Sequence, residues 1–162
     1  MTTSQLQAVA IPADYLKRIR AQGHDDYGTP FEIRTNDPGD QLRCCLTHST
    51  ASDRFMLISY APVAGRATGT LAPYDEVGPV FVHADECPGY AGGGIPRKWF
   101  DGKTKILRAY NGVGGIHGGV IVGPSDDVET EAARLLADPE VSFVHARNAE
   151  YGCFMMELRR AD

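Results

Sequence analysis

The sequence predicts an α+β fold: a mostly antiparallel, curved sheet or partial barrel with two packed helices. Short strand-like runs, rich in apolar and aromatic residues and bounded by Gly, Pro and Asp, recur through the chain. Only two stretches carry a helical stripe, one near each end. The resulting order is β-α, several strands, then α-β-β, without the regular alternation that marks a doubly wound parallel sheet.

Gln5 to Ile11 reads as the first strand. Pro12 suits the first turn of a helix, where its missing N–H is no loss, and Tyr15, Leu16 and Ile19 form the apolar stripe. Gly23 ends it. Residues 22–40 are polar and turn-rich, with a brief strand expected at Phe31–Arg34. Leu42 to Thr47, Arg54 to Ala61 and Val80 to Ala84 follow as strands. Cys87 to Gly102 is a long connection containing Gly92-Gly93-Gly94, of the length that functional loops have. Lys103–Asn111 and His117–Val122 read as strands joined by Gly112–Gly115. Ser125 is the expected cap of the second helix, Val128, Ala132, Leu135 and Leu136 its buried stripe, and Pro139 its end. Val141–Asn148 and Tyr151–Arg160 close the chain as a hairpin. No repeat, low-complexity tract or linker interrupts residues 1–162, so a single domain is expected.

Composition narrows the class of function. A hydrophobic content of 43% and a charged content of 23% are those of a globular protein, neither disordered nor collagen-like. No run of about 18 apolar residues occurs, and Met1–Ala10 lacks the basic and apolar regions of a secretory signal, which predicts a cytoplasmic protein without a membrane span. The net charge is −5, with no basic stripe, so a nucleic-acid partner is not expected. In a reducing compartment Cys44, Cys45, Cys87 and Cys153 are thiols or metal ligands rather than disulfides.

Strand parity supplies the leading candidate site. Side chains alternate between faces along a strand, and five of the expected strands split into an apolar side and a side bearing Arg, His, Cys and Tyr. On the second side stand Arg43 with Cys45, His83, Arg108 with Tyr110, His145 with Arg147, and Cys153 with Glu157. Guanidinium forks suit a carboxylate or phosphate. Arg43, Arg108 and Arg147 are therefore expected to hold a small anionic molecule. His83 and His145 are the candidate acid–base residues, and Tyr110 is a hydrogen-bond donor.

Metal binding is the alternative. His83 and Cys87 stand at H-x-x-x-C spacing, with Cys45 as a further ligand and Cys153 or His145 able to complete a tetrahedron; Cys44 reads as a small buried hydrophobe. A Cys–His nucleophile pair from Cys45 or Cys87 with His83 or His145 uses the same residues. A non-catalytic interaction domain, contacting a partner through the glycine run and Trp99-Phe100, is the third class. Two phosphate motifs fail. Arg97 occupies the first glycine position of a P-loop ending at Gly102-Lys103-Thr104, and His117 takes the third glycine position of a dinucleotide fingerprint at Gly112–Gly115.

The blocks Leu42-Arg43-Cys44-Cys45-Leu46, Ser59-Tyr60-Ala61-Pro62, Gly78-Pro79-Val80-Phe81-Val82-His83-Ala84 with Cys87, Leu107-Arg108-Ala109-Tyr110, and His145-Ala146-Arg147-Asn148 with Tyr151-Gly152-Cys153-Phe154 resemble a bacterial domain-of-unknown-function family, number twelve hundred and three. The resemblance implies a stand-alone bacterial domain. It carries no activity, cofactor or catalytic residue with it, and the glycine run within Ala91–Trp99 departs from the family pattern.

Overall fold

The computed structural model describes residues 6–64 and 73–162. In chain order the elements are β1 (Leu6–Val9), α1 (Ala13–Gln22), β2 (Glu32–Thr35), β3 (Gln41–Leu42), β4 (Thr47–His48), β5 (Arg54–Tyr60), β6 (Gly78–His83), a 3-10 turn (Arg97–Trp99), β7 (Lys105–Tyr110), β8 (Ile116–Val122), α2 (Val128–Leu136), β9 (Phe143–Asn148) and β10 (Phe154–Arg160). The α+β class is as expected. Among the described residues the strands form two five-stranded sheets, mostly antiparallel and neither closed into a barrel. Gln5, where the first strand was expected to begin, lies outside the described residues. The chain divides into two compact units, each with its own sheet.

The first unit holds the sheet β1-β10-β9-β7-β8 and α2. Its pairings are all antiparallel, with Arg108 opposite His145 and His145 opposite Glu157. Leu107, Ala109, Val144, Ala146, Met156 and Leu158 share one face and are buried. The α2 helix lies on that side, because Arg160, which has the parity of Leu158, donates to the carbonyls of Leu136 and Asp138. Val128, Ala132, Ala133 and Leu136 are buried, whereas Leu135, expected in the stripe, is half-buried. The helix cap is Asp127 rather than Ser125. The Asp127 carboxylate accepts from the Thr130 N–H and hydroxyl, at 3.3 and 2.6 Å, and the helix ends at Leu136, ahead of Pro139. A bulge between Phe154 and Met156 corrects the parity expected for β10: it brings Phe154 opposite Arg147 on the polar side, and it leaves Cys153 in the turn before the strand. Trp99 and Phe100 are buried, in keeping with the core packing that adjacent aromatic residues favour over contact with a partner.

The second unit holds α1 and the sheet β2-β5-β6-β3-β4. β5 and β6 form its antiparallel centre, with Phe55, Met56, Ile58, Val80 and Val82 buried. α1 buries Leu16 and Ile19 and stops at Gly23, whose φ of 81° places it in the left-handed region that glycine adopts without strain. Asp25 organises the loop that follows. It is fully buried, and its oxygens accept the N–H groups of Tyr27, Thr29 and Ser59 at 2.9 to 3.0 Å, tying the loop to β5.

One expected strand does not form. Residues 43–46 instead form a tight turn between the two-residue strands β3 and β4, closed by the Leu46 N–H to Leu42 carbonyl bond at 2.9 Å. Leu46 has a φ of 56°, a left-handed conformation that costs a Cβ-bearing residue about 1 kcal/mol. Side chains in this segment therefore do not alternate between two sheet faces. No helix among the described residues is long and apolar enough to cross a membrane.

Two outcomes follow. Asp25→Ala removes the buried acceptor of three backbone N–H groups and is expected to cost about 2 kcal/mol by chemical denaturation. Asp127→Ala removes the N-cap of α2 and is expected to cost about 1 kcal/mol at neutral pH. The Thr130 hydroxyl, foremost, holds the Asp127 carboxyl below the usual aspartate range. A lowered folded-state value means that its contribution is present above the unfolded value of about 3.9. It is lost as pH falls through the lowered value, so melting curves of parent and variant should converge in acid.

Candidate metal centre

The centre is built on the β3–β4 turn. β3 runs parallel to β6, with Leu42 beside Phe81, and the Arg43 N–H donates to the Phe81 carbonyl at 2.8 Å. The residues just past Leu42 are thereby carried alongside the end of β6, where His83 stands. Because the chain turns here, adjacent Cys44 and Cys45 both approach the same imidazole instead of pointing to opposite faces. The Cys44 Sγ lies 3.3 Å and the Cys45 Sγ 3.6 Å from His83 Nδ1, and the two sulfurs are 3.8 Å apart. Cys87 joins them from the segment after β6. One donor atom from each of Cys44, Cys45, His83 and Cys87 lies within 4.8 Å of all the others.

The separations among Cys44, Cys45 and His83 are close to the edges of a metal tetrahedron. Zinc–sulfur and zinc–nitrogen bonds of about 2.3 and 2.05 Å give tetrahedral edges of about 3.8 Å between sulfurs and about 3.5 Å between sulfur and nitrogen. The 3.8 Å between the sulfurs matches the first, and the 3.3 and 3.6 Å to Nδ1 straddle the second. Outer contacts complete the pattern. Asp53 Oδ1 sits 3.1 Å from His83 Nε2, which fixes the ring and turns Nδ1 toward the sulfurs. The His83 N–H donates to Cys44 Sγ at 3.2 Å, and the Thr47 hydroxyl lies 3.0 Å from Cys45 Sγ.

Burial and charge favour the same chemistry. Cys44 is 1% and Cys45 9% exposed, while His83 and Cys87 are half-buried. The Cys44 S–H, foremost, with Thr47 and His83, lowers the Cys45 pKa and favours its thiolate; the same contact and burial raise that of Cys44. A cleft of about 170 Å³ reaches Cys44 and Cys87, and α1 contributes Asp14, Lys17 and Arg20 to its walls. Arg20 also donates to the His83 carbonyl, from Nη2 at 2.9 Å.

The expected site residues thus separate. Cys45, His83 and Cys87 come together, and Cys44, expected to be only a buried hydrophobe, joins them. Arg43 belongs to the same turn but donates back to the Gln41 carbonyl at 2.6 Å. Cys153 and His145 belong to the first unit. The face expected from five strands is therefore divided: its strands belong to two sheets, and the stretch bearing Arg43 is a turn.

Within the first unit, Arg108, Tyr110, His145 and Arg147 do share one face. His145 is fully buried among the rings of Tyr110, Phe143 and Phe154, and its Nε2 meets Glu157 Oε2 at 3.0 Å. Tyr110 is also fully buried, with its hydroxyl 3.5 Å from Arg108 Nη1. Arg108 and Arg147 both reach the carboxylate of Glu76. No motif or strand parity in the sequence marks Asp53 or Glu76 as a site residue. Asp53 stands in the turn Thr50–Asp53, and only the three-dimensional course of β5 and β6 brings it to His83. His117 pairs on the surface with Asp138 at 3.1 Å, close to Glu140.

Neither the curated proteins nor the solved structures contain a match to the chain. Residues 39–160 match a family described as a protein of unknown function (DUF1203), and that stretch includes Cys44, Cys45, Asp53, His83 and Cys87. The chain belongs to this DUF1203 family of proteins of unknown function.

Proposed function

We propose that this protein binds a divalent ion of the zinc class through Cys44, Cys45, His83 and Cys87, with Asp53 orienting the histidine. The observation that carries this reading is the approach of four soft donors, from two short stretches of sequence, to within 4.8 Å of one another. The carboxylate–histidine pair of Asp53 and His83 supports it, because metal-bound imidazoles are held this way on their second nitrogen. Thiolate and imidazole select zinc over calcium or magnesium, which take oxygen ligands. A bound ion would clamp the β3–β4 turn to the end of β6 and to the segment carrying Cys87. Such thiols persist in the reducing cytoplasm, the compartment that the sequence favours.

Elemental analysis of protein purified without a metal-affinity tag tests the reading. About one zinc-class ion per chain is expected. A content far below one, persisting after incubation with zinc, removes the proposal. Cys45→Ser and Cys87→Ser should each lose most of the bound ion, whereas Cys153→Ser should retain it, since Cys153 lies outside the cluster. Asp53→Asn is expected to keep the four ligands but to lower zinc affinity about 10- to 100-fold in a competition titration against a chromophoric chelator. Unchanged affinity would remove Asp53 from the centre.

A further inference from the structure

We propose that Arg108 and Arg147 form an oxyanion-binding site whose place is held by the Glu76 carboxylate, and that a small carboxylate or phosphate binds there when Glu76 gives way. This site uses none of the metal-binding residues and does not rest on the metal reading.

The two arginines come from the neighbouring strands β7 and β9 and project from one face, since Arg108 stands opposite His145 and Arg147 lies two residues beyond it. Each holds a different oxygen of one carboxylate: Arg108 Nη1 to Glu76 Oε1 at 3.0 Å, and Arg147 Nη2 to Glu76 Oε2 at 3.1 Å. Two guanidinium groups sharing one planar anion is the arrangement by which proteins recognise carboxylates and phosphates.

The two sides of this contact differ in how firmly they are built. The Arg147 side chain is 9% exposed, and its Nη1 is fixed by donation to the Gly152 carbonyl at 2.7 Å. Its Nε is buried and has no hydrogen-bond partner among the described residues. A buried guanidinium with an unused donor needs an anion beside it. Arg108 is steadied by the Tyr110 hydroxyl, which accepts from it and keeps its own proton to donate. Glu76, by contrast, lies in no strand or helix, and its side chain is 52% exposed. The cationic half is part of the sheet, while the anionic half is an exchangeable side chain of the connecting segment.

The experiment measures melting temperature for the parent, Glu76→Ala, and Glu76→Ala combined with Arg147→Gln. Each is placed in sodium phosphate, sodium malonate or sodium chloride at matched ionic strength. Glu76→Ala should melt below the parent in chloride and regain most of that loss in phosphate or malonate, while the double variant regains none. A gain in only one of the two anions assigns the ligand class. Melting that rises no more in either anion than in chloride overturns the proposal, as does an equal rise in the double variant. The parent supplies a second readout. Phosphate or malonate should shift the Arg147 Nε–H resonance in a saturable way, and a resonance unmoved by both anions also overturns the proposal.

Discussion

The hydrogen bond from the Arg43 N–H to the Phe81 carbonyl, at 2.8 Å, is the constraint on which the candidate centre depends. It fastens a four-residue turn to the end of a central strand and sets the parallel register of Leu42 with Phe81. With that register in place, Cys44 and Cys45 fall beside His83, and the segment after β6 brings Cys87 to the same point. The left-handed Leu46 is part of the same device, because it lets the turn close within so few residues. A side chain other than glycine in that conformation carries a cost that the surrounding structure must sustain, and such costs concentrate where geometry serves a site.

The two units treat charge in different ways. In the second, carboxylate, imidazole and thiol form a chain of contacts from Asp53 through His83 to Cys44 and Cys45. In the first, a buried imidazole meets a buried carboxylate, His145 with Glu157, and a buried guanidinium, Arg147, meets the half-exposed Glu76. Leaving one member of a buried pair alone is strongly unfavourable, whereas exposed pairs contribute little. The half-exposed Glu76 thus has an effect beyond its own surface contact, because it neutralises a guanidinium that the sheet keeps from water.

Much of the fold was legible because it rests on local signals. The alternation in Lys105–Tyr110 and Phe143–Asn148 fixed which side chains share a face, and the register then put Arg108 opposite His145. The helices were marked by their stripes, although Asp127 displaced Ser125 as the cap through its contact with Thr130. What could not be read was non-local. The division of strands between two sheets depends on pairings between distant segments, such as β1 with β10 and β3 with β6. The Arg43–Leu46 stretch resembles a strand in composition, yet it turns because Leu46 takes a conformation that composition does not signal. That turn converts Cys44 from the opposite parity of Cys45 into its companion. Three of the four proposed ligands were named from the H-x-x-x-C spacing and nearby cysteines, while Cys44, Asp53 and Glu76 required the fold.

The central claim is that one divalent ion sits among three sulfurs and one imidazole nitrogen. X-ray absorption at the zinc edge of the zinc-loaded protein tests it directly. A first shell of three sulfurs at about 2.3 Å and one nitrogen at about 2.05 Å is the predicted result. A shell made only of oxygen and nitrogen, with no sulfur scattering, would contradict it.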